Sequence, residues 1–437
     1  MRFSERSPNH EFRAVTQTQA FSGTHARDAS TDPASGDVRV ALVAQEYHST
    51  LTHGGIGTQT HVKARGLAAL GHEVVILSHS PDVERHEEIQ GNVRLIQVPG
   101  SHGTLPIHTE SVRWLAYSGQ VAAELAALHS MVPLDLVDFP EYGAEGYVHL
   151  LNRTLWNHVP TVVHLHGPLG MLAHTINWPE LDSEFYRVGT AMEATCVRLA
   201  DAVFSSSQCS ADWCARLYGL DTETVPIIHT GVDTTHFVPG ETEPPRPTIV
   251  FVGRIAESKG AEVLLDAAVQ LAGEVEGLKL RMVGHGKPDL LEKLRARARE
   301  AGRQELLEFT GFASRDTLPP LLQDAHVFAG PSRYEGGPGF VYLEAMACGL
   351  PVIACSGSGA TEVVTNEETG LLVPPDDTNA LLDALRRVFR DDAWRRATGR
   401  RARAYAEREM SSDVCIRRIE TFYAEVVGGT RTKKAAR

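Results

Sequence analysis

The run Pro331-Ser332-Arg333-Tyr334-Glu335-Gly336-Gly337-Pro338-Gly339-Phe340-Val341-Tyr342-Leu343-Glu344-Ala345-Met346-Ala347-Cys348-Gly349-Leu350-Pro351-Val352-Ile353-Ala354 decides how this chain folds. An apolar strand pattern at 327–329 feeds a loop crowded with Gly and Pro. A helix begins near Gly339 and a second apolar strand near Pro351. That order puts backbone N–H groups and a helix N-terminus at the carboxyl end of a sheet, where open α/β sheets bind ligands. Glu335 and Glu344 flank the start of the helix.

Outward from this run the same alternation continues. Upstream, strands are predicted at 249–254, 279–284 and 307–310, with helices at 260–272, 289–301 and 316–324; downstream come a short strand near 371–373 and a helix at 378–390. A second alternating set precedes it, with strand patterns at 38–47, 73–78, 93–98, 134–139, 161–166, 203–206 and 225–229. Helical patterns at 57–70, 111–129, 143–153, 183–200 and 208–218 fall between them. Strands alternating with helices predict parallel, doubly wound sheets. The fold class is therefore α/β, with two Rossmann-like, doubly wound domains. The expected boundaries are a mobile leader at 1–36, a first domain at 37–233, and a Pro-rich linker at 234–248. A second domain follows at 249–391, and an Arg-rich helical segment with a basic tail at 392–437.

Composition narrows the function. A chain of 437 residues exceeds one core and suits two domains. A formal charge of −13 argues against a nucleic-acid partner, because phosphate backbones call for surplus Lys and Arg. No uninterrupted apolar stretch is long enough to span a bilayer, so no integral membrane association is expected. The N-terminus shows no signal-peptide core. Cysteines at 196, 209, 214, 348, 355 and 415 form no paired CxxC set, which fits reduced thiols in a cytoplasm. Oligomeric state is not legible.

Several motifs fall at strand ends. His53-Gly54-Gly55-Ile56-Gly57 follows the first strand, and Gly55 and Gly57 would let the backbone approach a phosphate. A dinucleotide-binding reading fails on two counts: the third glycine of the fingerprint is missing, and the second strand ends Leu77-Ser78-His79-Ser80 without an acidic residue for a ribose. Pro160-Thr161-Val162-Val163-His164-Leu165-His166-Gly167-Pro168 ends a strand on an imidazole facing the cleft. Thr230-Gly231-Val232-Asp233 is a tight turn before the linker. Val252-Gly253-Arg254-Ile255 with Lys259-Gly260 offers a guanidinium fork and an ammonium, a cationic clamp for a diphosphate. Val283-Gly284-His285-Gly286 is a further strand-to-glycine loop.

Together these motifs, over roughly 38–427, closely resemble the family 4 glycosyltransferases of the GT-B fold. The resemblance implies two Rossmann-like domains facing across a cleft, a nucleoside-diphosphate sugar as substrate, UDP favoured, and transfer with retention of anomeric configuration. It places His166 near the donor sugar, the Gly55–Gly57 loop beside the diphosphate and Gly286 near the base. It also implies that the terminal helix crosses back onto the first domain. One departure stands out. The family usually has seven residues between its two acidic positions, whereas eight separate Glu335 and Glu344, with the extra residue in Gly336-Gly337-Pro338-Gly339. Glu344 is expected to accept the ribose hydroxyls and Glu335 to sit nearer the sugar ring, so that His166, Glu335, Arg254 and Lys259 form the catalytic set. Gly55, Gly57, Arg254, Lys259, Gly286, Gly337, Pro338, Gly339 and Glu344 form the donor-binding set.

No Asp-x-Asp triplet occurs, the metal-holding device of the other major glycosyltransferase fold. Arg254, Lys259 and helix N-termini are expected to neutralise the leaving group, and neither metal nor cofactor is expected. For the acceptor, carboxylates at Glu46, Asp138, Glu141 and Glu145 and aromatics including Tyr142 and Trp178 suit a small soluble hydroxylated molecule, one with ammonium groups especially. His48 and His53 stand against a purely cationic one. The acceptor contacts are read as Glu46, His48, Glu141 and Trp178. Two alternatives stay open: a nucleotide-sugar epimerase or hydrolase of the same fold, and a non-catalytic nucleotide-sugar sensor.

Overall fold

The computed structural model describes residues 38–47, 54–100, 106–154 and 157–435. These belong to one unit, Asp37–Arg437. The leader assigned to 1–36, together with His48 and His53, lies outside the described residues.

The first half runs β1 (Arg39–Val43), α1 (Gly55–Ala69), β2 (Glu73–His79), β3 (His86–Gln90), β4 (Val93–Val98), α2 (Glu110–Met131), β5 (Leu136–Pro140), α3 (Tyr147–Leu151), β6 (Thr161–Leu165), α4 (Leu169–Ile176), α5 (Glu184–Leu199), β7 (Ala202–Ser205) and α6 (Gln208–Tyr218). The second runs β8 (Thr248–Val252), α7 (Ala261–Leu271), β9 (Lys279–Val283), α8 (Pro288–Glu300), β10 (Leu307–Gly311), α9 (Leu318–Gln323), β11 (Val327–Gly330), α10 (Phe340–Ala347), β12 (Val352–Cys355), β13 (Gly370–Val373) and α11 (Thr378–Arg390). Two helices close the chain, α12 (Asp392–Glu409) and α13 (Ser412–Ala435).

Among the described residues the strands form a seven-stranded sheet, β3-β4-β2-β1-β5-β6-β7, and a six-stranded sheet, β10-β9-β8-β11-β12-β13. All pairings are parallel except β3 against β4. Both sheets are buried on two faces, and the strand period of two divides their side chains between two cores. Val40 and Leu42 of β1 pack with α1 and α13, whereas Ala41 and Val43 pack with α2. In β8, Ile249 and Phe251 join α7 on one face and Val250 joins α10 on the other. In both sheets the central strand, β1 or β8, has neighbours running in opposite topological directions. The gap at its carboxyl end is where a ligand fits.

The strand pattern at 225–229 does not become a strand. Ile227 makes only an isolated bridge to Ser205, because Pro226 lacks an N–H to extend the ladder. Two elements escaped the sequence reading. β3 is a short, mostly exposed edge strand without apolar alternation, and α4 is an apolar helix directly after Gly167-Pro168.

The C-terminal helix α13 packs on the first half. Ile416, Ile419, Tyr423 and Val427 share a core with Val40, Leu42 and Leu67. A glycine makes this approach possible: a Cβ on Gly66 of α1 would lie 2.6 Å from Ile416 Cγ1. The outgoing and returning chains run side by side, with Val232 N–H donating to Met410 O at 2.8 Å and Ser412 N–H donating to Val232 O at 2.8 Å.

Candidate active site

A cavity of about 410 Å³ opens where the carboxyl ends of the two sheets meet, a volume suited to a small-molecule ligand. Its floor on the first-half side comes from the loops after β1, β5 and β6 and from α4. On the other side it comes from the β8–α7 turn and the loop from Tyr334 to Gly339.

The cationic side is built by close backbone packing. Gly260, at φ 72°, caps α7, and a Cβ there would lie 2.1 Å from Pro331 O. Only glycine permits the turn carrying Lys259 to sit against the strand end that launches the Tyr334–Gly339 loop. Lys259 Nζ consequently reaches Glu335 Oε1 at 2.7 Å, an ion pair with both partners largely buried. Arg254, at the end of β8, lines the cavity and is exposed; among the described residues it has neither a hydrogen bond nor an ion pair. Its guanidinium fork is thus available to an anion. Gly337, Pro338 and Gly339 line the wall beside the N-terminus of α10. The structure brings together Arg254, Lys259, Glu335, Gly337, Pro338, Gly339, Gly55 and Glu46 around one space, with His166 opposite.

His166 follows β6. Its backbone N–H donates to both carboxylate oxygens of Glu141, at 2.8 and 2.7 Å, and Gly167 N–H donates to the same group. The His166 ring is buried at Nδ1, which has no partner, so Nε2 is the nitrogen left for the cavity. Burial, and then the charge of Lys63, hold the imidazole well below its usual range; it is neutral at physiological pH. Ser210 Oγ approaches His166 O at 2.8 Å and Gly336 O at 2.7 Å, while Ser207 Oγ donates to Gly336 O at 2.6 Å. The start of α6 thereby ties the imidazole loop to the glycine loop of the other half. Glu362 reinforces the contact by accepting from Gln208 N at 2.9 Å and Cys209 N at 3.0 Å, a carboxylate at a helix N-terminus.

Several assigned residues take other places. Glu141 is fully buried, with its oxygens occupied by backbone amides; it is scaffold rather than an acceptor contact. Burial pushes its carboxyl up to about 7 despite those hydrogen bonds. Glu145 is likewise buried, accepting from Gln45 N at 3.0 Å, and Asp138 is buried against Lys63. Of the four acidic residues proposed for the acceptor, only Glu46 lines the cavity, its carboxyl raised chiefly by burial. Trp178 is 47% exposed, packs edge-on to Phe185 and does not line the cavity. Gly57 turns its hydrogens to Glu46 O, which a Cβ would meet at 2.8 Å; Gly54 and Gly55 line the wall instead. Gly286 packs on Leu291 and Ile255, outside the cavity. Glu344 sits on the buried face of α10, also off the cavity wall; burial raises its carboxyl to about 7, opposed by the charge of Arg315.

The sequence reading also missed Ser207, Ser210 and the α4 wall of Met171, Leu172 and Ile176. The run Ser205-Ser206-Ser207 ahead of a helix was the available signal, since Ser at a helix start caps it. What those hydroxyls bind across the cleft is not encoded locally.

Comparison with known proteins agrees with this geometry. Residues 53–236 match the description Glycosyltransferase Family 4, and residues 246–391 match Glycosyl transferases group 1. The chain is 28% identical over 418 residues to a glycogen synthase of Mycobacterium tuberculosis, covering 89% of this chain and 94% of that one. It is 30% identical over 287 residues to a D-inositol 3-phosphate glycosyltransferase of Kribbella flavida, covering 61% and 66% respectively. In fold it is similar to sucrose-phosphate synthase from Thermosynechococcus elongatus, with a TM-score of 0.76 at 23% identity, over 90% of this chain and 100% of that one. With a cleft between two parallel-sheet domains and both halves matched, the chain belongs to the family 4 glycosyltransferases and is a glycosyltransferase of the GT-B fold.

Proposed function

We propose that this enzyme moves a sugar from a nucleoside diphosphate, UDP being the expected carrier, to a small hydroxylated acceptor with retention of configuration and without a metal. The observation that carries the reading is the facing arrangement of Arg254 and the Lys259–Glu335 pair with the cavity side of His166. The guanidinium and ammonium, with the α10 N-terminus, supply positive field where charge develops on the departing diphosphate. His166 Nε2 and Glu335 are placed for hydroxyls of the sugar. Among the described residues the carboxylates on the cavity wall are Glu46, assigned to the acceptor, and Glu335, paired with Lys259, so we take the acceptor to attack on the face the diphosphate leaves. The acceptor O–C1 bond forms as the C1–O phosphate bond breaks, and the acceptor proton passes to the departing phosphate oxygen.

Glu46 offers an acceptor hydroxyl a hydrogen-bond partner, and Met171, Leu172 and Ile176 supply an apolar wall beside it. With Asp138, Glu141 and Glu145 buried and partnered, Glu46 is the one of these four carboxylates left to attract an ammonium group. No described helix is long and apolar enough to cross a membrane. All six cysteines are free thiols, which supports a reducing compartment such as the cytoplasm.

The test is a panel of nucleoside-diphosphate sugars. The donor raises the melting temperature by mass action, is turned over with an acceptor in the presence of EDTA, and yields a product whose anomeric configuration matches the donor by NMR. Loss of activity in EDTA restored by manganese or magnesium, or an inverted product, overturns the corresponding part of the reading.

A further inference from the structure

Behind His166 lies a buried polar chain that the reaction above does not use. Lys63 of α1, Asp138 of β5, His164 of β6 and Tyr423 of α13 are exposed by 3%, 2%, 0% and 1%. The Asp138 carboxylate accepts from both Lys63 Nζ and the Tyr423 hydroxyl. Lys63 Nζ also lies 3.3 Å from His164 Nδ1. An ammonium group only donates, so His164 Nδ1 must accept and its proton sits on Nε2. The His164 ring is stacked on Phe204, centroids 4.0 Å apart, and lies against the His166 ring, tilted by 45° with centroids also 4.0 Å apart.

The surroundings are apolar: Val40, Leu42 and Phe204 belong to the core that α13 completes. A hydrophobic replacement of a buried ion pair is often neutral or stabilising, so stability alone gives little reason for one here. Its position does. The pair meets the imidazole layer directly beneath the cavity.

We propose that Lys63, anchored by Asp138 and by Tyr423 from the returning terminal helix, is a positioning residue. It fixes the tautomer and ring of His164, against which His166 rests, and opposes a second positive charge on His166, so that His166 meets the donor sugar as a neutral imidazole. The inference rests on His166 serving the transfer reaction. The charge of Lys63 adds to burial in holding both imidazoles neutral. Among the described residues, the other ionisable groups around His166 are Glu141 at its backbone N–H, Glu46, Tyr142, His229, Arg254, Tyr334 and the Lys259–Glu335 pair on the same cavity wall, and, behind Lys63, Asp138 on β5 and Tyr423 on α13.

The full chain, labelled with ¹⁵N in histidine, tests this by NMR titration between about pH 4 and 8. The His166 signals are assigned by their loss in His166→Gln. In the wild type the His166 ring titrates below the usual imidazole range, held there by burial and then by the charge of Lys63. In Lys63→Met its midpoint rises by about one pH unit, and the acid limb of kcat/KM for the donor moves up with it. Because Lys63→Met leaves Asp138 buried without its ion-pair partner, the double variant Lys63→Met/Asp138→Asn removes both charges and should move the midpoint in the same direction. A midpoint unchanged in both variants, in an enzyme whose turnover still depends on His166, overturns the role of Lys63 and leaves the reading of the site intact. A raised midpoint with an unmoved acid limb removes His166 from the reaction, and with it the functional reading on which the role depends.

Discussion

At the residue scale, the cationic clamp carries the sharpest expectation. Arg254 is free for an anion, whereas Lys259 is already paired with Glu335. Arg254→Ala and Lys259→Ala should each cost on the order of 2–4 kcal/mol of transition-state stabilisation, a loss of roughly 30-fold to 10³-fold in kcat/KM by steady-state assay. The two should differ in kind. Losing the Lys259 ammonium also frees the Glu335 carboxylate and adds negative charge beside the diphosphate, so donor KM should rise more in Lys259→Ala than in Arg254→Ala. Unchanged kinetics in both would remove the clamp from the mechanism. A second residue-scale expectation concerns Glu145, whose carboxyl burial raises to about 8. A raised folded-state value means the native protein holds this proton more tightly than the unfolded chain. The stabilisation is complete below the unfolded value, near pH 4.5, and is lost as pH climbs through about 8, with a slope of up to about 1.4 kcal/mol per pH unit. Glu145→Gln keeps an oxygen for Gln45 N–H but does not titrate. Melting curves across this window should therefore fall less steeply for the variant than for the wild type. Parallel curves would show that Glu145 is charged in the native state.

At the element scale, the N-terminus of α6 has two tasks. Ser207 caps the helix by accepting from Ser210 N–H at 3.0 Å and donates to Gly336 O in the other half. Ser207→Ala removes both. The cap alone is worth about 1 kcal/mol, and losing the bond to Gly336 should loosen the glycine loop that lines the donor wall. The expected outcome is a lower Tm together with a weaker donor Kd by calorimetry. A drop in Tm with donor affinity intact would confine Ser207 to capping. The same scale explains which parts of the site could be read in advance. The β8–Arg254–Lys259–α7 unit is local in sequence, so strand end, glycine turn and helix start specify it. The bond from Ser207 to Gly336 spans 129 positions, and no local pattern announces it.

At the scale of the whole molecule, α13 acts as a structural part of the first half although it is the last element of the chain. Ile416, Ile419, Tyr423 and Val427 are buried against β1 and α1. At about 1.5–3 kcal/mol for each buried side chain, they contribute about 6–12 kcal/mol, comparable to the whole stability of a domain. Deleting residues 411–437 should leave the first half without a cooperative unfolding transition by circular dichroism. A truncated chain with an unchanged transition would show that α13 is an accessory. The sequence was enough to specify the two doubly wound sheets, the strand-end glycine turns, and Arg254, Lys259, Glu335 and His166 as cleft residues. The sheets and turns follow from hydrophobic period and from backbone conformations that only glycine adopts easily, both written over a few neighbouring positions, whereas the four side chains were singled out by their strand-end positions together with the family resemblance. Local pattern put Glu141 and Trp178 at the acceptor and the family resemblance put Glu344, Gly57 and Gly286 at the donor, whereas the structure holds these five off the cavity wall; neither assigned a partner to Lys63 or Ser207. A motif says that a polar residue stands near a strand end, but the direction of its side chain depends on what packs against it. Glu141 turns inward because two backbone amides after β6 need an acceptor, and Glu344 turns away from the cavity on the buried face of α10. Packing settled these cases because burying a polar group is tolerable only where distant parts of the chain bring it a partner or suppress its charge.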